Sequence, residues 1–164
     1  MAGPASEPST GDLRLRDVTK DDLPILFEQQ ADPEANRMAA FSPRDRDAFM
    51  SHWTAILRDG AVTAKAVVVG GRVAGQVVSF DRFGEREVGY WIGRDFWGRG
   101  VATRALSKFL RYEPVRPLVA RVATHNVASV RVLEKCGFAI SNEDPGPADP
   151  IGDGVEEVVL RLEA

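Results

Sequence analysis

Two glycines ringed by arginine carry the clearest chemistry in this chain. In Phe96-Trp97-Gly98-Arg99-Gly100-Val101-Ala102-Thr103, Gly98 and Gly100 leave the main chain bare of Cβ atoms, so a ligand can come close to it. The run that follows has helical spacing, with Val101, Ala102, Ala105, Leu106, Phe109 and Leu110 on one face. The first turn of such a helix offers unpaired N–H groups and the positive end of the helix dipole. Together these hold phosphate without a charged side chain. Charge is added all the same: Arg94, Arg99, Arg104, Lys108 and Arg111 stand around the turn against one acid, Asp95. The competing reading is a plain strand-to-helix turn. Two phosphate-loop patterns fail here. The Gly-Lys-Ser/Thr triplet is absent, and the dinucleotide fingerprint wants Gly or Ala where Thr103 stands. That fingerprint also wants its first glycine directly after the strand, whereas Gly93 to Trp97 intervene. A nucleotide-containing cofactor stays open beside the plain turn, with the Rossmann type disfavoured.

The turn needs a strand before it and a strand after it. Residues 85–92 end in Val88-Gly89-Tyr90-Trp91-Ile92 and read as the first; residues 117–123 read as the second. With a helix over 99–112 between them, they form a parallel crossover. Upstream, 63–69 and 72–80 flank Gly70-Gly71, a two-residue hairpin signal, and 81–84 turn the chain into the strand at 85–92. The N-terminal part reads as a strand at 13–17 and then a helix led by Thr19-x-x-Asp22. Pro24 sits deep in that helix. A loop or broken helix follows over 31–41. Ser42-Pro43 then opens a helix with Phe49, Trp53, Ile56 and Leu57 on one stripe, ended by Gly60. Downstream, Asn126 caps a helix whose stripe is Val127, Val130, Leu133 and Cys136, stopped by Gly137. Strands at 138–141 and 155–162 close the chain. The expected fold is one α+β domain with a mixed central sheet, antiparallel first and parallel in the middle, and helices on both faces.

Composition agrees with a single enzyme-sized domain. The chain has 164 residues, is 44% hydrophobic and carries a net charge of −3. That mild acidity argues against nucleic acid as the main partner. One cysteine, Cys136, excludes an internal disulfide and fits a cytoplasmic location. His52 and His125 stand far apart, so no metal is expected. Residues 1–11 lack the cationic start and apolar run of a signal peptide and read as a disordered tail, with the folded domain at 12–164. No run reaches membrane-spanning length. The segment 142–154 is long for a hairpin, and its acids Glu143, Asp144, Asp149 and Asp153 either attract a cationic acceptor or form a solvated loop. That loop and an exposed sheet edge are where a second copy would pair in a homodimer.

The order Glu87-x-Gly89-Tyr90-Trp91, Trp97-Gly98-Arg99-Gly100-Val101-Ala102-Thr103 and Asn126-x-x-Ser129-x-x-Val132-x-Glu134-Lys135-x-Gly137-Phe138 resembles the GNAT superfamily of N-acetyltransferases. Within it, the chain is similar to the RimJ/RimL-like branch. The resemblance covers residues 13–162. It implies acetyl-CoA as co-substrate and a primary amine as acceptor. It implies that the amides of Arg99, Gly100, Val101, Ala102 and Thr103 hold the pyrophosphate, with Gly98 beside them in the cofactor-binding turn. It further implies that Trp91, Ile92 and Gly93 splay from the next strand and bond the pantetheine like an added strand. Asn126 then meets the pantetheine arm, and Ser129 lies near the sulfur. Trp97 replaces the family's usual Gln or Arg, which leaves the backbone role intact. The plain readings beside these are a helix cap for Asn126 and a first-turn hydrogen bonder for Ser129.

For the chemistry, a base must take the amine's proton and a donor must meet the departing sulfur. A backbone N–H near Ile92 would meet the carbonyl oxygen. Glu87, on the face shared with Gly89 and Trp91, is the candidate base, with Glu85 in reserve; the plain reading is a surface strand glutamate. Relatives often supply a tyrosine acid from the last helix. None occurs after Tyr112 here, which leaves Ser129. An α-amine of pKa about 7.8 is free base roughly one time in seven at pH 7, and a lysine amine roughly one in 2,500, a gap near 3.5 kcal/mol. A weak base therefore suits an α-amine or small low-pKa amine. A non-catalytic acyl-CoA-binding module is the alternative, and a dinucleotide oxidoreductase with Arg121 reading a 2′-phosphate is a third reading.

Overall fold

The computed structural model describes residues 12–141 and 156–164. The 1–11 tail and the acids Glu143, Asp144, Asp149 and Asp153 lie outside them. The elements run β1 (Leu13–Asp17), α1 (Leu23–Ala31), α2 (Pro33–Ala39), α3 (Arg46–Arg58), β2 (Thr63–Val69), β3 (Arg72–Arg82), β4 (Glu85–Ile92), α4 (Val101–Phe109), β5 (Leu118–Ala123), α5 (Val127–Lys135), β6 (Ala139–Ile140) and β7 (Glu157–Leu162). They form one seven-stranded sheet in the order β1-β2-β3-β4-β5-β7-β6. Among the described residues only the β4–β5 pair is parallel; the other pairs are antiparallel. This is the mixed sheet expected, with its crossover at β4–α4–β5.

Strand alternation sends each residue to one of two cores. On one face Val88 and Ile92 of β4, with Leu118, Ala120 and Val122 of β5, pack against Leu106 and Phe109 of α4 and Leu133 of α5. On the other, Ala66 packs with Leu23 and Leu26 of α1 and Phe49 and Trp53 of α3. Fully burying one such large side chain contributes about 1.5–3 kcal/mol. The two helical layers thus fix the sheet between them.

Local signals account for most element ends and correct several expected ones. Thr19 opens a 3-10 turn over Lys20–Asp22, where Asp22 returns a bond to the Thr19 amide at 2.8 Å. The α-helix proper begins at Leu23, so Pro24 lies in its first turn, where its missing N–H costs nothing. The stretch expected as loop or broken helix contains α2, capped by Asp32, whose side chain accepts from the Ala35 amide at 3.2 Å. The helix expected from Ser42-Pro43 starts later, because Asp45 is the residue that caps the Ala48 amide at 2.8 Å. β3 runs on to Arg82, and the helix after the glycine turn spans only Val101–Phe109.

Two features shape the end of β4. A bulge shifts the β2–β3 register between Val67 and Val68, which raises the local twist. Beside it, the Gly93 amide donates to Ala74 O at 2.7 Å. Gly75 lies so close to β4 that a Cβ there would sit 2.1 Å from Trp91 O. Among the described residues no helix is long and apolar enough to cross a membrane.

Candidate active site

β4 and β5 share only two register pairs, Arg86↔Leu118 and Glu87↔Val119. Past those pairs the strands part in a V. The shared end is pinned by a buried carboxylate, Glu113, from the loop between α4 and β5. It accepts from Ser79 Oγ at 2.5 Å, Arg86 Nε at 2.8 Å and the Val115 amide at 3.0 Å. Burial alone would raise its pKa, but these donors outweigh burial and hold it below the ordinary glutamate range.

The glycine turn stands at the open end of the V. Gly98 (φ 77°) and Gly100 (φ 72°) both take the left-handed conformation, which glycine adopts without steric cost. A Cβ added at either position meets nothing within 4 Å, so both face open space. Gly100 is the N-cap of α4, and among the described residues no side chain caps its first turn. Gly100, Val101, Ala102 and Thr103, at the positive end of the helix dipole, line the cleft.

A cavity of about 550 Å³ runs from this turn along β4 and α5 to α2. Trp91, Ile92, Gly98, Gly100, Val101, Ala102, Thr103, Asn126 and Ser129, all anticipated from the sequence, line it; Gly93, Arg99 and Glu87 do not. Asn126 Oδ1 accepts from the Ser129 amide at 3.3 Å, so it is a cap and also a cavity wall. The strand end is partly engaged already: Trp97 Nε1 donates to Ile92 O at 2.8 Å, and the Gly93 amide is taken by Ala74. A ligand pairing with β4 must use the other main-chain groups of that edge.

Glu87 lies at the closed end of the V, 6% exposed. Its carboxylate faces Arg82 at 3.4 Å and Arg121 at 3.4 Å. Burial raises its pKa, and the two arginines pull it back in part. Arg121 is thereby committed to a carboxylate on the sheet face, not to a nucleotide phosphate. The reserve acid Glu85 pairs with Arg161 at 2.7 Å.

Several lining residues escaped the sequence reading. Arg131 and Lys135, four apart on α5, bring cations to the cavity; their i, i+4 spacing on one helix face was the signal. Ala35, Met38 and Ala39 of α2 build the far wall. Tyr90 also lines the cavity, and its hydroxyl lies 2.6 Å from Ser129 Oγ. Burial, eased in part by the bond to Ser129, pushes the Tyr90 phenol up to about 12. Nothing in strand alternation signals that pairing, because it joins residues 39 apart in the chain. Cys136, half-buried, turns its Sγ to Thr103 O at 3.5 Å, and burial raises its thiol pKa. Among the described residues no cluster of His, Cys, Asp and Glu could hold a metal.

A parted parallel pair, a helix start and a glycine turn thus meet in one cleft. The chain matches the acetyltransferase (GNAT) domain family over residues 12–139 and belongs to it. It is 24% identical to an uncharacterized N-acetyltransferase p20 of Bacillus licheniformis, over 77% of this chain and 78% of that protein. Its fold matches a Vibrio cholerae spermidine N-acetyltransferase solved with CoA and spermine, at TM-score 0.75 and 19% identity, covering 92% and 94% of the two chains. It matches RimL, a ribosomal L7/L12 α-N-protein acetyltransferase solved with CoA, at TM-score 0.75 and 17% identity, covering 96% and 94%.

Proposed function

We propose that this acetyltransferase moves an acetyl group from acetyl-CoA to a primary amine, by direct attack with both substrates in the cleft. The carrying observation is the V between β4 and β5 with an uncapped, glycine-led α4 at its mouth. Gly98, Gly100 and the amides of Val101, Ala102 and Thr103 suit a pyrophosphate, and Arg131 and Lys135 add cations to the same cavity. When bound, acetyl-CoA supplies an electrophilic thioester carbonyl and a thiol leaving group. Ser129 offers its hydroxyl to the sulfur, and a β4 amide near Ile92 faces the carbonyl oxygen. A thiol of pKa about 8.5 costs about 2 kcal/mol to release as thiolate at pH 7. A hydrogen bond to a charged acceptor is worth about 1.5–3 kcal/mol. A hydroxyl donor therefore suffices, without a strong acid.

Glu87 acts on the amine only through water, since its carboxylate does not reach the cavity wall. That weak base favours an acceptor already present as free base: a protein or peptide α-amine or a small low-pKa amine. This fits a RimJ/RimL-like α-amine acceptor. The test is thiol release from acetyl-CoA over a panel of α-amine peptides, α-blocked lysine peptides and spermidine. The α-amine peptides should turn over fastest. Preference for spermidine refutes the acceptor class. Tight CoA binding with no release on any amine favours a non-catalytic acyl-CoA-binding module instead.

A further inference from the structure

We propose that Tyr90 is a positioning residue for acyl transfer: its phenol donates to Ser129 Oγ and turns the Ser129 hydroxyl proton into the cleft. The inference rests on the cleft being the acetyl-CoA site. Tyr90 lies on the face of β4 that carries Val88 and Ile92, so its ring crosses beneath the V to reach α5. Its hydroxyl is 2.6 Å from Ser129 Oγ and 3.3 Å from Ser129 O. Two hydroxyls at that distance share one proton between them, and each has only one to give. The Tyr90 proton has two acceptors within reach on Ser129, Oγ at 2.6 Å and the main-chain O at 3.3 Å; it goes to the nearer one, Oγ, so the phenol donates and the serine hydroxyl accepts.

That assignment leaves the Ser129 proton free. Ser129 and Tyr90 both line the cavity, and the Ser129 amide is already tied back to Asn126 O at 3.1 Å. With its main chain fixed and one lone pair occupied by Tyr90, the serine has the cavity as the open direction for its O–H. The attacking nitrogen forms the N–C bond and gives its proton to water. The C–S bond breaks with its electron pair left on sulfur, and the Ser129 O–H meets that charge. Tyr90 keeps its own proton throughout. The family's usual tyrosine on the last helix is missing from this chain. Here a strand tyrosine serves at one remove, by aiming a helix serine.

The experiment is a mutant cycle of Tyr90→Phe, Ser129→Ala and the double variant, in the full chain. Tyr90→Phe removes one oxygen and keeps the ring that fills the space. Each single variant should lower kcat about tenfold, or about 1.4 kcal/mol, with KM for acetyl-CoA within about twofold. The double variant should be no slower than Ser129→Ala alone, because Tyr90 acts only through that hydroxyl. A second readout does not depend on turnover: the thiol pKa of protein-bound CoA, followed by thiolate absorbance. It should rise by about half a unit in Tyr90→Phe, as the donor loses its aim. Additive losses in the double variant overturn the proposal. So does a Tyr90→Phe enzyme with unchanged kcat and an unshifted bound thiol, or one altered only in KM. A wild-type protein that binds no CoA by calorimetry takes down the cleft reading, and this inference with it.

Discussion

Replacing Glu113 by alanine should cost this protein a large part of its stability. The carboxylate side chain is 3% exposed and the Arg86 side chain 11%. Its removal strips an acceptor from Arg86 Nε, from the fully buried Ser79 hydroxyl and from the Val115 amide. Breaking a buried pair by removing one partner costs about 3–5 kcal/mol, because the other charge stays buried. Arg86 keeps Ala61 O at 2.7 Å and the exposed Asp81 carboxylate at 3.2 Å, which places the loss near the lower end, about 3 kcal/mol. At this chain length each kcal/mol moves the melting temperature about 2–4 °C, so calorimetry should show a fall of about 6–12 °C. The pH dependence follows from the same carboxylate. Its folded pKa lies below its unfolded value, so its contribution is complete above about 4.3 and fades as pH falls through the folded value. The gap between wild type and Glu113→Ala should therefore close below about pH 4. Because Arg86 is one of only two β4 residues in register with β5, KM for acetyl-CoA should rise as well. A fall under about 2 °C at neutral pH, or a gap that widens on acidification, would refute the reasoning.

Two further outcomes follow from the cleft. Gly100→Ala forces a side chain to φ 72°, which costs about 1–2 kcal/mol; calorimetry should show CoA binding weakened about tenfold, and undiminished binding would separate the turn from the phosphate. Cys136→Ala should leave kcat within a few-fold, because the thiol is half-buried and its pKa is raised; loss of turnover in a folded variant would point to an acyl-cysteine step.

How much was legible depended on whether a residue's role is local. Gly98 and Gly100 could be read because positive φ before a helix demands glycine, whatever surrounds it. Asn126 could be read because a cap acts three residues away. Helix α2 was obscured because it is only seven residues long and its buried positions are Ala35 and Asn36, too weak a stripe to show periodicity. Its signal was Asp32-Pro33, a cap followed by proline at the first helical position. The far wall of the cavity went unseen for the same reason. Strand alternation gives the face of β4 on which Glu87 lies, but its two arginine partners come from the end of β3 and from β5. Strand alternation gives a side chain's direction and says nothing of what meets it there. Tyr90 and Ser129, and likewise Glu113 and Ser79, are pairs that tertiary packing makes; neither member carries a mark of the other in the sequence.

The meeting of β4 and β5 has a mechanical consequence. With two rungs between them, the sheet is two leaves on a short hinge, one of β1 to β4 and one of β5, β7 and β6. The ion pairs Arg121–Glu87 and Arg161–Glu85 brace the leaves across the join at its narrow end; farther along, no strand bonds tie β4 to β5. A guest that hydrogen-bonds along the bare edge supplies the cross-ties the strands omit. It would become part of the frame while bound, and the stiffness of the cleft would then be set by its guest.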